Sequence, residues 1–327
     1  MTEEEPGARG VRASTVVLAA AVLVAAAVFA VVLALQQPRL VQTSRPAEAV
    51  AETTEAPLVP VDSFPRKGER RLRNPLGIAA DADRLYVAES DAGVVRVFSA
   101  EGESIAAIAV PVAAGVPRAQ PGSLAFVAPG RLAVVDTAGK RVVVLSTAAG
   151  RGKLLGVAGG KGPGALRQPT AVAAVPDGMA IYDAADRSLK VYDANGRFVR
   201  RVDEGLRPSL TFVGGMALGG DRLYVADSNA SRVVVLDGSR SDSSAVLPER
   251  FSLPRGLASW PGGVLVADPF APAVDVFDLA GKLLGRADAP RGGRWSPMGV
   301  AWSAATGRVY VTDPSAGTVD VFEVRTR

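Results

Sequence analysis

Six acidic residues recur along the chain at near-regular intervals: Glu89, Asp136, Asp183, Asp227, Asp268 and Asp313. Carboxylates gathered into a ring can ligate a hard cation such as Ca²⁺, and a single one can serve as a general acid or base. Arginines form a second recurrent set: Arg73, Arg118, Arg167, Arg255 and Arg294 each lie within three residues of a proline, and Arg207 precedes Pro208. Guanidinium groups brought together can grip carboxylate or phosphate bidentately. Much other chemistry is excluded, because the 327 residues contain no Cys and no His. Disulfides, thiolate nucleophiles, imidazole bases and Cys/His metal cages are therefore impossible, as is a lipid anchor on a cysteine.

The elements that carry these residues follow from their spacing. Each acid closes a short apolar strand, as in Leu85-Tyr-Val-Ala-Glu89 and Leu223-Tyr-Val-Ala-Asp227. Nine residues after each acid stands a large apolar residue (Phe98, Leu145, Tyr192, Leu236, Phe277, Phe322), although the acids are 47, 47, 44, 41 and 45 residues apart. A fixed offset inside a variable period predicts a rigid two-strand unit joined by loops of adjustable length. Repeats of this length built from short strands predict an all-β fold, a six-bladed β-propeller. The 35 Gly and 23 Pro supply the many turns such a fold needs.

Four strands fit each repeat. Strand A is a small-residue segment suited to the crowded channel wall; the six are expected at Leu76–Ala80, Ser123–Val127, Thr170–Ala174, Gly214–Leu218, Arg255–Ser259 and Met298–Trp302. Strand B ends at the acid, strand C carries β-branched alternation such as Val233-Val-Val-Leu236, and strand D follows a turn such as Asn195-Gly196. After Phe322 too few residues remain for a fourth strand, whereas Leu58–Phe64 lies where a strand D belongs. The expectation is that this N-terminal strand completes the sixth blade and leaves no edge open.

The array resembles the NHL-repeat family of six-bladed propellers, of a membrane-anchored bacterial type. The resemblance rests on Asn74-Pro-Leu-Gly-Ile-Ala79 with Leu85–Glu89, on Leu223–Asp227 with Arg232-Val-Val-Val-Leu-Asp237, and on the run Gly159-Gly-Lys-Gly-Pro-Gly164 before Leu166 and Pro169. It covers residues 58–327 and implies the fold more strongly than any activity. Enzymes on similar propellers, such as lactonases and lyases, hold a metal or a catalytic acid at the channel mouth. The 30 strand-A positions here contain no Asp, Glu, Asn, Gln or His, so no catalytic residue, cofactor or metal is assigned. Some family members bind RNA through a basic face, but no aromatic ladder for stacking bases is visible, and no nucleic-acid partner is expected.

Repetition in every blade favours a structural role for the six acids, each carboxylate accepting N–H groups of its own B–C loop. The five arginines share one end of the ring with Lys140, Arg187, Arg232 and Phe270 of the B–C loops, and the competing readings are a grip for anions and scattered solvated charge. Trp260 and Trp302 belong to A–B hairpins at the opposite end, where interlocking of blades or docking of a partner would explain them.

Residues 14–35 are almost entirely Val, Ala and Leu, and 22 residues of helix reach about 33 Å, enough for a hydrocarbon core of roughly 30 Å. The reading is an uncleaved signal-anchor helix in the lipid bilayer, with a short cytoplasmic tail over 1–13 and a Pro/Ala/Thr/Glu-rich flexible linker over 36–57. Its rival is a cleaved signal peptide, with Val32-Leu-Ala34 as the small-residue site. Residues 62–327 carry 33 basic and 27 acidic groups, a mildly basic balance. The expected function is a single-pass, extracytoplasmic binding or scaffold module at the cell membrane, for a protein or an anionic polymer. The alternatives are a lactonase- or lyase-type enzyme and a sensor acting through a membrane partner.

Overall fold

The computed structural model describes residues 58–148, 152–202, 209–237, 244–290, 292 and 294–325. The expected membrane helix and linker, together with Arg207, lie outside the described residues. Among the described residues no helix is long and apolar enough to cross a membrane.

The chain forms six antiparallel four-stranded sheets, the blades of a β-propeller. A first strand, β1 (Leu58–Phe64), precedes the ring. Blade 1 is β2 (Pro75–Asp81), β3 (Arg84–Glu89), β4 (Val94–Ser99) and β5 (Ser104–Ala109). Blade 2 is β6 (Pro121–Ala128), β7 (Arg131–Asp136), β8 (Arg141–Ser146) and β9 (Leu154–Ala158). Blade 3 follows as β10 (Pro169–Val175), β11 (Gly178–Asp183), β12 (Ser188–Tyr192) and β13 (Phe198–Arg201). Blade 4 is β14 (Val213–Gly219), β15 (Arg222–Asp227), β16 (Arg232–Asp237) and β17 (Ser244–Val246), and blade 5 is β18 (Gly256–Trp260), β19 (Gly263–Asp268), β20 (Ala273–Asp278) and β21 (Leu283–Ala287). Among the described residues blade 6 has three strands from its own repeat, β22 (Val300–Ser303), β23 (Arg308–Asp313) and β24 (Thr318–Val324).

The fourth strand of blade 6 is β1. It pairs antiparallel with β24 from Leu58↔Val324 to Phe64↔Val319. N- and C-terminal segments thus share one sheet, and the edge that β24 would otherwise present is covered.

Six separate apolar clusters fill the six gaps between neighbouring blades. Alternation along strands B and C sends successive side chains to opposite faces of a blade, and each face meets a different neighbour. Tyr86 and Val134 meet between blades 1 and 2, and Val135 and Ile181 between blades 2 and 3. The closing strand serves two gaps: Leu58 packs between blades 5 and 6, and Phe64 between blades 6 and 1.

Innermost strands approach one another closely. A Cβ on Gly77, Gly256 or Gly299 would stand 2.3–2.4 Å from a carbonyl oxygen of the adjacent blade, so only glycine permits this spacing. In blade 2 the register differs by one residue from the sequence reading. Leu124 pairs with Val134, as Ile78 pairs with Val87 in blade 1, so the first channel position is Gly122 rather than Ser123. The start of β6 is irregular in the same way as that of β2, but a second irregularity between Phe126 and Ala128 adds one residue before the turn and hides the shift from a simple alignment.

Candidate functional site

Strand order fixes which loops share an end of the ring. Each strand B runs toward its acid, so the B–C loops and the D–A junctions stand together at one end, and the A–B and C–D turns stand at the other. The six acids and the arginines of the junctions therefore belong to the same end.

Glu89 and the five aspartates are at most 2 % exposed. Their partners are more distant than their own loops, the range the sequence suggests. Five of them reach back 15 or 16 residues to the backbone entering their own blade. Glu89 accepts from the N–H of Arg73, Asp136 from Gln120, and Asp183 from Arg167 and Gln168. Asp227 accepts from Thr211 and Phe212, and Asp268 from Ser252 and Leu253. Own-loop bonds add to these, as from Gly139 to Asp136 and from Phe270 and Ala271 to Asp268. Asp313 is the exception, taking only Ser315 and Ala316 of its own loop. The residue 16 before it is Pro297, which has no N–H to give.

Cations from strand C complete the neutralisation in four blades. Arg141 pairs with Asp136 at 3.2 Å, Arg232 with Asp227 at 2.8 Å and Lys190 with Asp183 at 3.5 Å, while Arg96 stands 3.9 Å from Glu89. Blades 5 and 6 place acids instead at the strand-C position that carries Arg96 and Lys190. Burial pushes the carboxyl of Asp275 above its ordinary value, against the opposing pull of a bidentate pair with Arg286. Asp320 accepts the indole N–H of Trp295 at 2.9 Å. Among the described residues no three metal-ligating side chains gather in one place.

The arginines fall into two kinds. Arg73, Arg118, Arg167 and Arg294 are exposed. None of the four forms an ion pair among the described residues, in contrast to Arg141 and Arg232. Lys140 and Arg187 of the B–C loops are also exposed, and both hold a left-handed backbone, with φ of 52° and 54°. Glycine takes the equivalent place in blades 1 and 6, at Gly93 and Gly317. Phe270, in the B–C loop of blade 5, is 74 % exposed.

Arg255 behaves differently. It is half-buried in the wall of the central channel, where the register aligns Leu76, Gly122, Thr170, Gly214, Arg255 and Met298 as equivalent positions at the entry of each inner strand. These residues, with Thr137 and Phe212, surround a cavity of about 220 Å³ at the loop end of the channel. Its floor is apolar: Ile78, Leu124, Met216, Leu257 and Val300 are buried beneath it. The Arg255 guanidinium lies over the Phe212 ring, 5.2 Å from its centroid. Gly214 admits the side chain, since a Cβ there would stand 2.8 Å from the Cδ of Arg255. Burial lowers the guanidinium's pKa, though an arginine remains charged at neutral pH. Sequence reasoning missed Phe212 as the partner of this arginine and Thr137 as part of the cavity wall. Its signal was that Arg255 alone is charged among the six aligned inner-strand positions.

At the other end Trp260 and Trp302 of adjacent blades meet edge to face, with centroids 6.1 Å apart.

No protein-family model and no curated protein matches the sequence. Solved propellers are similar in fold. A structural-genomics protein of unknown function from Bacteroides thetaiotaomicron VPI-5482 superposes with a TM-score of 0.61 at 14% identity, over 83% of this chain and 74% of that one. The nidogen/laminin complex contains a chain with a TM-score of 0.57 and 16% identity, over 70% of this chain and 85% of that chain. A catalytically inactive histidine-to-alanine virginiamycin B lyase from Staphylococcus aureus, with quinupristin, gives 0.55 at 12% identity, over 80% of this chain and 83% of its own. At these identities the likeness establishes the fold, a six-bladed β-propeller.

Proposed function

We propose that this protein is a binding module whose loop end recognises an anionic partner, a protein surface or polymer, and that residues 14–35 tether it to the membrane with the propeller outside the cytoplasm. The observation that carries this reading is the contrast between two repeated sets of charge at that end. All six acids are turned inward and occupied by backbone N–H groups, while Arg73, Arg118, Arg167 and Arg294 point outward with no described carboxylate partner. Lys140 and Arg187 add to this rim from a backbone conformation that costs a non-glycine residue about 1 kcal/mol. Such strain is tolerated where the side chain is useful. Exposed Phe270 supplies an apolar contact of the kind that anchors interfaces.

The similarity to a lyase is a weaker argument for catalysis here. Replacement of a histidine leaves that enzyme inactive, and this chain has no histidine. The propeller in the nidogen/laminin complex shares the fold with a protein complex rather than a reaction.

Poly-glutamate supplies a test. The full chain should bind it at low ionic strength, and binding should weaken steeply with added salt, because exposed charges separated by more than about 10 Å are screened at 0.1 M. A single exposed pair is worth at most about 1 kcal/mol, so several arginines must act together. The triple variant Arg73→Glu, Arg118→Glu, Arg167→Glu should abolish binding while the protein keeps its melting temperature. Binding insensitive to both salt and reversal would overturn the reading.

A further inference from the structure

The central cavity differs from the rim outside it, and its composition specifies a ligand. One cation, Arg255, stands in a wall otherwise made of glycine, aliphatic side chains, Phe212 and hydroxyls. Those hydroxyls are already engaged: Thr170 donates to the Val213 carbonyl at 2.6 Å, Thr137 donates to the Gln120 carbonyl at 3.1 Å, and the Ser123 hydroxyl accepts from the Val172 N–H at 3.2 Å. The Arg255 backbone N–H donates to the Ala267 carbonyl, but its guanidinium has no ion pair or hydrogen bond to another described residue, and Phe212 is its one ring contact. Removing a charge from water is costly unless a partner compensates it. The four exposed junction arginines avoid that cost by staying in solvent, and Arg255 does not.

We infer that the channel mouth binds a small monocarboxylate with an apolar, preferably flat, body, its carboxylate on Arg255 and its body on Phe212 and the apolar floor. A single guanidinium offers two parallel N–H groups that match one carboxylate and balances one negative charge. A phosphate dianion would retain excess charge among apolar walls. At about 220 Å³ the cavity is smaller than the roughly 300–1,000 Å³ that drug-sized ligands occupy, which limits the ligand to about one or two rings. Phe212 already holds the guanidinium face by a cation–π contact, so the fork is orientated before a ligand arrives. The inference rests on the reading of the loop end as the binding end, and it concerns a free small molecule in the channel rather than the partner on the rim.

Titration of the full chain with 2-naphthoate and with its neutral isostere 2-naphthamide tests it, followed by the ligands' own fluorescence. Naphthoate should bind one to one and at least about tenfold more tightly than the amide, as charge-assisted hydrogen bonds imply. Arg255→Leu should bring naphthoate down to the level of the amide. Gly122→Met should weaken both ligands and leave Arg255 in place. A Cβ on Gly122 meets nothing closer than 3.8 Å, so that variant fills the cavity without a clash at the backbone. Should Arg255→Leu not fold, the ratio of the two ligands on the native chain and the Gly122→Met result still decide. Inorganic phosphate at matched ionic strength should fail to displace naphthoate. Equal affinity for acid and amide, naphthoate binding indifferent to Gly122→Met, or displacement by phosphate would each overturn the proposal. The triple rim variant keeps Arg255, so it should lose poly-glutamate but retain naphthoate, and the failure of either idea is visible without the other.

Discussion

At the scale of single residues, the six acids are tension members rather than ligands. Asp227 receives the N–H groups of Thr211 and Phe212, the Thr211 hydroxyl and the Arg232 guanidinium. Asp313 receives two loop N–H groups and the Ser315 hydroxyl. A buried donor left without its acceptor costs about 1–3 kcal/mol. Asp227→Ala should therefore destabilise the protein by roughly 2–3 kcal/mol, and more than Asp313→Ala, as read from urea midpoints. Equal losses would show that the reach to the D–A junction contributes nothing. Asp186 offers a pH test. Burial acts to raise its pKa, but hydrogen bonds from Lys190 and Ser188 outweigh burial and hold it below its ordinary value. A depressed carboxylate contributes stability above its unfolded pKa, about 3.9, and loses it as pH falls through the folded value. The stability gap between the native chain and Asp186→Asn should be present near neutrality and close below about pH 4. A gap that persisted into acid would show that Asp186 acts through something other than its charge.

Elements show how the ring is closed and how its loops are aimed. The strand β1 contributes a ladder to β24 and two buried side chains, Leu58 and Phe64, one in each flanking gap. Full burial of such side chains is worth about 1.5–3 kcal/mol apiece. A chain beginning at Lys67 should be less stable than one beginning at Leu58 by several kcal/mol and should aggregate through the exposed edge of β24. Matching melting temperatures for the two would remove β1 from the account of closure. The B–C loops turn on a left-handed residue four places after the acid in five blades: Gly93, Lys140, Arg187, Ser231 and Gly317. Lys140→Gly should stabilise the fold by up to about 1 kcal/mol and weaken poly-glutamate binding. Such opposed changes are expected only if the lysine is kept for the surface rather than for the fold.

For the whole molecule, the sorting of charge by end matters more than net charge. Residues 62–327 carry only six more basic than acidic groups, but at the loop end the six repeated acids are inside, while Arg73, Arg118, Arg167, Arg294, Lys140 and Arg187 are exposed beside the scattered acids Glu69, Asp91, Asp186 and Asp288. The buried carboxylates leave little capacity for a cation, so millimolar Ca²⁺ and EDTA should give the same melting temperature. A rise with Ca²⁺ would reinstate a ligand role for the acids.

The ring of blades was legible in the sequence because its causes are local. The nine-residue offset fixes a hairpin, alternation fixes which side chains enter the gaps, and the missing strand after Phe322 called for Leu58–Phe64, which pairs with β24. The absence of His and Cys likewise limited the chemistry without reference to any fold. What tertiary structure alone decided depends on contacts between residues far apart in the chain or on neighbouring strands. The sequence could not show that Asp183 ties the backbone 15 and 16 residues earlier, or that the first channel position of blade 2 is Gly122 rather than Ser123. It put Arg255, alone of the junction arginines, at the head of a strand A, but could not supply its partner. One residue of register places that side chain in the channel wall, and a glycine in the neighbouring blade makes room for it over Phe212. Composition sets how many charges a chain has, but only packing determines which of them are taken out of water.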